Sequence, residues 1–330
     1  MKAVIPVAGI GTKLRPHTHT QPKPLIPVAG KPILGHIIDN LIEAGITEYI
    51  FIIGYLREKI REYVQTHYAD KISMEFVVQA PRKGLAHALW MAKEYLGEDE
   101  ILVNLGDTIF GADTSRVVQM PGSVLCVQEV DKPREFGIAQ LGEDGHVIKV
   151  VEKPEIPTSN LALVGLYKID QMSVLMEALT QMFSEGLLEE HDYSLTEALM
   201  SMINLGTKFQ AYHVESWYDC GRKAQLLLAN RILLSEFQED ELPQFENTVI
   251  IPPVKIAEGC QIKDSIVGPN VAIAEHSVIN HSILSNSILG AYTQLESIIL
   301  KNSVIGNDTS LKGRSNSINI GDNTELDFGS

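Results

Sequence analysis

A six-residue beat in the last quarter of the chain constrains its architecture more than any other feature. Ile256-Ala-Glu-Gly-Cys-Gln-Ile262 is followed by Val267-Gly-Pro-Asn-Val-Ala-Ile273 and Leu289-Gly-Ala-Tyr-Thr-Gln-Leu295. Ile305-Gly-Asn-Asp-Thr-Ser-Leu311 and Ile320-Gly-Asp-Asn-Thr-Glu-Leu326 continue it. Each unit holds an aliphatic residue, usually a glycine, a turn, a small residue, and a second aliphatic residue six positions on. Between the units recur Ser-Ile and Ser-Val pairs, at Ser265, Ser277, Ser282, Ser287, Ser297, Ser303 and Ser317. One such unit cannot bury its own aliphatic residues, but stacked units can, and this predicts a parallel β-helix. A β-sandwich would need longer alternating strands. A stack of few coils leaves an open end, so a homo-oligomer is expected.

Upstream, the pattern alternates between strand-like and helix-like segments. Residues 3–7 form a short apolar run that ends in Ala8-Gly9, the mark of a buried strand. Pro32 opens a helical pattern through Ile33, Ile37, Ile38, Leu41 and Ile42, closed by Gly45. Strands are expected at residues 49–53, 74–78 and 101–105, and helices at 57–68 and 85–96. That order predicts an α/β fold with a doubly wound, mostly parallel, Rossmann-like sheet. Ligands of such sheets bind beyond the carboxyl ends of the strands. This singles out residues 9–13, 79–84 and 106–107. Residues 123–167 read as β-rich, with turns such as Glu143-Asp144-Gly145, and helices are expected at 172–183, 195–203 and 223–235. A chain of 330 residues exceeds one ordinary core. The predicted division is an α/β domain over 1–235, an acidic linker over 236–248, and the β-helix over 249–330.

Charge is unevenly placed. The whole chain carries −15, which argues against a nucleic-acid partner. Residues 1–38 nevertheless contain no Asp or Glu, and hold Lys2, Lys13, Arg15, Lys23 and Lys31. Such an island suits either an acidic neighbour or a small anionic ligand. No apolar run reaches the ~18 residues of a membrane span, and the first residues lack a signal-peptide pattern. Cys126, Cys220 and Cys260 lie far apart without metal-ligand spacing, which predicts reduced thiols in a cytoplasmic protein.

The glycine loop of the island excludes two familiar motifs. Leu14 stands where a dinucleotide fingerprint needs its third glycine, and Pro16, Pro22 and Pro24 prevent a long helix. The order Gly11-Thr12-Lys13 is not that of a P-loop. What remains is a loop whose backbone N–H groups can face an anion, or a turn that needs glycine for its backbone angles.

Residues 2–16, followed by Pro22-Lys-Pro-Leu-Ile-Pro-Val28 and Gly30-Lys-Pro32, resemble the signature of the sugar-1-phosphate nucleotidylyltransferases. These are the relatives of glucose-1-phosphate thymidylyltransferase and uridylyltransferase. The likeness covers residues 1–235, and the repeats fit the long forms with a left-handed β-helix. The resemblance implies that Ala8, Gly9, Gly11, Thr12 and Lys13 hold a nucleoside triphosphate, and that Lys23 neutralises phosphate charge. It implies that Gln79 and the backbone at Gly84 read a pyrimidine base. It implies that Asp107 and Asp219 share Mg²⁺, a hard cation suited to carboxylate oxygens. Gly137, Glu152, Lys153, Gly165 and Tyr167 resemble the sugar-phosphate site. Read on their own, these segments are equally turns, a hairpin glycine and a surface ion pair. His87 reads as a helix residue, not a ligand.

The implied reaction joins dTTP or UTP to a sugar-1-phosphate, glucose-1-phosphate first, with Lys13, Lys23, Asp107 and Asp219 as the catalytic set. Two alternatives within this class are N-acetylglucosamine-1-phosphate as acceptor and an acetyltransferase in the β-helix, where His276 and His281 belong to no motif. A non-catalytic nucleotide-sugar-binding regulator is the alternative outside the class. The chain departs from the family pattern at Lys13, where Arg is usual, and at Ala8, Thr108 and Glu197, where Gly, Asn and Asp are common. Lys13 keeps the charge but loses the bidentate fork.

Overall fold

The apolar run after Met1 forms β1 (Lys2–Val7), with Ala3, Val4 and Ile5 fully buried. The computed structural model describes residues 1–111, 113–184, 192–236 and 243–313. A short hairpin, β2 (Pro27–Val28) with β3 (Lys31–Pro32), leads into α1 (Ile33–Glu43). Then come β4 (Glu48–Ile53), α2 (Arg57–Tyr68) and β5 (Ser73–Val78). The expected helix over 85–96 is broken into α3 (Leu85–Met91) and α4 (Lys93–Leu96). Its cause is Ala92, whose N–H reaches Leu89 O at 3.0 Å as well as Ala88 O at 3.2 Å, tightening the turn. β6 (Ile101–Asn104), β7 (Thr108–Phe110) and α5 (Asp113–Gln119) follow.

The β-rich stretch holds β8 (Ser123–Glu129), β9 (Gly137–Leu141), β10 (His146–Glu152) and β11 (Leu161–Ile169). Beyond it lie α6 (Met172–Met182), α7 (Leu195–Asn204), β12 (Phe209–His213), β13 (Trp217–Asp219) and α8 (Lys223–Glu236). Among the described residues, nine strands form one sheet in the order β5-β4-β1-β6-β11-β8-β12-β10-β9. Here the expectation of a mostly parallel sheet needs correction. β5, β4, β1 and β6 are parallel, and so are β8 and β12. β11 runs antiparallel to β6 and β8, and β10 antiparallel to β9 and β12. Helical crossovers impose parallel neighbours on the first four strands, whereas the tight turn at Gly145 makes β9 and β10 an antiparallel hairpin.

The chain divides into two compact units, residues 1–229 and 230–330. In the second, twelve short strands among the described residues visit three faces in rotation. One face holds Val249–Ile250, Ile266–Val267, Ile283–Ser285 and Ile299–Lys301 in parallel register. The second begins at Val254–Ile256 and the third at Gln261–Lys263, each with four strands. This is the arrangement of a β-helix, with the hexad aliphatics Ile262, Val267, Ile273, Leu289 and Leu295 in its interior. The hexad at residues 320–326 and the pair at Ser317 lie outside the described residues. One coil spans 17 or 16 residues, as the register Val249↔Ile266↔Ile283↔Ile299 requires, and not a multiple of six.

The recurring serines have a structural reason. Ser265 Oγ donates to Lys263 O at 2.7 Å and accepts from Ser282 N at 3.1 Å in the next coil. Ser282 Oγ repeats this with Asn280 O and Ile298 N. Each hydroxyl thus satisfies backbone groups that a corner would otherwise orphan. Corners also use left-handed backbone at Asp264, Asn270, Asn286, Asn302 and Asp308, types that tolerate it. His276 and His281 occupy two more such corners, the first stacked on Tyr292 and the second 3.4 Å from Asp264. Leu284 is fully buried in the stack. Leu284→Ala should cost roughly 3 kcal/mol, read as a lower urea midpoint by far-ultraviolet circular dichroism. An unchanged midpoint would contradict a packed interior.

Candidate active site

The strand order reverses around β1, which lies between β4 and β6. Three chain segments leave the carboxyl ends of β1, β5 and β6 there, at the position where α/β sheets bind ligands. Beyond β1, Gly11 has φ 69° and packs so closely that a Cβ would lie 2.9 Å from Lys23 Cβ. Three short 3-10 turns follow, Thr12–Leu14, His17–His19 and Lys23–Leu25. They take the place of a helix in this proline-rich stretch. They leave Lys13 exposed, without an ionic partner among the described residues, and Lys23 largely buried. Lys23 Nζ pairs with Asp107 Oδ2. Two more members of the basic island are engaged locally: Lys31 pairs with Asp39, and Lys2 caps Tyr95 O at 2.9 Å.

Asp107 and Asp219 are brought together by pairing of β7 with β13, in which Asp219 stands opposite Thr108. Cys220 N donates to Asp107 O at 3.0 Å and locks the two segments. Burial is the largest influence on the Asp107 carboxyl and would raise its pKa. The Lys23 ammonium, the Thr108 hydroxyl and its own backbone outweigh burial and hold it below the usual range. Asp219 is pushed the other way, by burial and then by the nearby charge of Asp107. Both carboxylates gain from a nearby cation. The thiol of Cys220 is raised by burial and by these carboxylates, which makes it unreactive.

Two pockets adjoin here. The smaller, about 330 Å³, is lined by Ala8, Gly9, Gly11, Gln79, Arg82 and Gly84. The larger, about 490 Å³, is lined by Gly11, Thr12, Lys13, Gly84, Gly137, Glu152, Lys153, Tyr167 and Asp219. Lys23 and Asp107 line both, so two ligands seated in the pockets would meet at this pair. Among the sequence-derived residues, only Gly165 lines neither. It stands behind the wall: its φ is 97°, and a Cβ would lie 2.8 Å from Leu105 Cδ1.

The larger pocket also contains residues that the sequence reading missed. Thr196 Oγ1 donates to Glu152 Oε2 at 2.7 Å. Arg222 pairs with Glu135 at 2.8 Å, and both line the pocket. Trp217 Nε1 and Gln225 Oε1 are buried without a hydrogen-bond partner among the described residues, and both side chains belong to the same lining. Arg222 and Gln225 follow Asp219-Cys-Gly221 directly, and that adjacency was the available signal. Ser194 caps α7 by accepting from Glu197 N at 3.2 Å. Glu197 is therefore a first-turn helix residue, which suits either acid at this position. Lys13, Lys23, Lys153 and Arg222 face Asp107, Glu135, Glu152, Asp192 and Asp219, so acids outnumber bases. No three or more His, Cys, Asp or Glu side chains among the described residues are arranged to hold a metal. No helix among them is long and apolar enough to cross a membrane.

The chain is 33% identical over 304 residues to glucose-1-phosphate thymidylyltransferase of Streptomyces antibioticus, covering 89% of this chain and 82% of that protein. It is 34% identical over 324 residues to the bifunctional protein GlmU of Methanocaldococcus jannaschii, covering 92% and 74%. A structure of UDP-glucose pyrophosphorylase complexed with UDP-glucose aligns with a TM-score of 0.62 and 25% identity, over 72% of this chain and 99% of that one. The family model for nucleotidyl transferases matches residues 2–236, and the chain belongs to that family.

Proposed function

We propose that the chain is a sugar-1-phosphate nucleotidylyltransferase that uses dTTP or UTP, with glucose-1-phosphate as the leading acceptor. The observation that carries this reading is the Lys23–Asp107 pair on the wall shared by the two pockets. The base of the triphosphate occupies the smaller pocket, toward Gln79 and Gly84, and its phosphates pass Gly11, which lines both pockets, to reach Thr12 and Lys13 in the larger one. The sugar phosphate occupies the larger pocket, with hydroxyls on Glu152 and phosphate near Lys153. A phosphate oxygen of the sugar-1-phosphate then attacks the α-phosphorus. The bond to the β-phosphate oxygen breaks, and pyrophosphate leaves with that electron pair. The attacking oxygen is already ionised, so no general base is needed. Lys13 faces the charge that builds on pyrophosphate, while Lys23 and Lys153 hold the phosphates in line.

Mg²⁺ fits this site. Asp107 and Asp219 provide carboxylate oxygens, Gln225 lines the same pocket with its buried Oε1 unpartnered among the described residues, and the pocket has more acids than bases. Two carboxylates completed by substrate phosphates are an ordinary Mg²⁺ set, and the ion would neutralise charge on the reacting phosphates. Catalysis is assigned to residues 1–235, with 236–248 as linker and 249–330 as a left-handed β-helix. Val249, Ile266, Ile283 and Ile299 stand in register and exposed on one face, which supports association with further copies.

N-acetylglucosamine-1-phosphate is the second acceptor to test. Pyrophosphate release should be measured for four nucleotides against several sugar-1-phosphates. Release with a pyrimidine nucleotide and one sugar is the expected result. No release from any pair would remove the enzymatic reading.

A further inference from the structure

His87 lies beside Gln79 and has no role in the reaction described above. The Gln79 carboxamide nitrogen is 2.7 Å from Gly84 O and 3.3 Å from His87 Nδ1. Both side chains are buried. A carbonyl oxygen only accepts, so the nitrogen end of the carboxamide must face Gly84. Its second N–H then points at His87 Nδ1. That nitrogen must therefore offer a lone pair, with the ring proton on Nε2. Burial, followed by the charge of Lys83, lowers the imidazole pKa and favours the neutral ring. Phe183 packs against this ring edge to face, with centroids 5.9 Å apart.

We propose that His87 is a positioning residue for base selection. By engaging the second N–H of Gln79, it leaves the carboxamide oxygen as the end offered to the smaller pocket. An acceptor there suits a pyrimidine with a proton on N3, as in uracil and thymine. Cytosine has a lone pair at N3 and is disfavoured. This rests on the proposed function, because it requires the nucleotide base to sit in the smaller pocket.

The test is equilibrium binding of UTP and CTP to the full chain, wild type and variant. His87→Phe keeps a packed ring but removes the acceptor, and His87→Asn returns an acceptor oxygen near the Nδ1 position. Wild type should prefer UTP. In His87→Phe the preference should fall about three- to tenfold, the worth of one hydrogen bond, and His87→Asn should restore it. Affinity for sugar-1-phosphate should not move. An unchanged preference in His87→Phe, failure of His87→Asn to restore a lost one, or equal binding of UTP and CTP by wild type would overturn the role of His87 and leave the proposed function standing. Binding of neither nucleotide would overturn both. If the variants do not fold, nitrogen-15 shifts of wild-type His87 decide, since a proton on Nδ1 contradicts the lock.

Discussion

Asp107→Asn should slow pyrophosphate release on the order of 10³-fold, the scale of removing one preorganised charge from a reacting centre. Asparagine has the same shape, and its oxygen can still accept from Thr108 Oγ1, which lies 3.3 Å from the carboxylate. The backbone bond from Cys220 N does not involve the side chain. Charge is what is lost. Lys23 then loses its paired carboxylate, and Asp219 is left as the carboxylate near it. The melting temperature should move by about 3 °C or less, which separates a chemical defect from a folding one. A residual rate above a tenth of wild type would remove Asp107 from the reacting centre.

Gly84→Ala should have the second-largest effect, on binding rather than on chemistry. A Cβ at Gly84 would fall 2.2 Å from Tyr193 O and 2.6 Å from Asp192 Oδ1. With φ 91° and ψ 178°, the backbone occupies a region nearly restricted to glycine, with a cost of order 1–3 kcal/mol for other residues. The loop must shift, and Gly84 O, which orients Gln79, shifts with it. Affinity for UTP should fall on the order of 100-fold, a loss of about 3 kcal/mol. Gly45→Ala is the control. Its φ is 86°, but no atom lies within 4 Å of the added Cβ. Only the backbone cost of about 1–2 kcal/mol applies there, with no change in nucleotide affinity. Similar UTP affinities in the two variants would argue against Gly84 as a wall of the nucleotide pocket.

Periodicity located the first strands and helices well, and α2 spans the expected Arg57–Tyr68. It carried no information about partners. The residues of β11 are apolar apart from Gly165, Tyr167 and Lys168, and nothing in such a run says that it enters the sheet antiparallel between β6 and β8. The hexads were legible because a repeated unit must satisfy the same packing in each coil. The coil length was not, because a corner can lose a residue while each strand keeps its two faces. At the site, the family resemblance supplied the pairing of Asp107 with Asp219, since their proximity depends on β7 meeting β13. Gly165 matched the family segment, yet it supports Leu105 from behind. The environment of His87 was invisible because it depends on the orientation of the Gln79 amide.

The hydroxyl rungs of the β-helix make its length a quantised property. Each rung joins a coil only to its neighbours, so adding or deleting one whole coil leaves the others with their hydrogen bonds and aliphatic contacts. A fraction of a coil would instead rotate every later residue onto the wrong face and strand the serines away from their carbonyls. Such a domain can lengthen or shorten in evolution by steps of 16 or 17 residues without solving a new core.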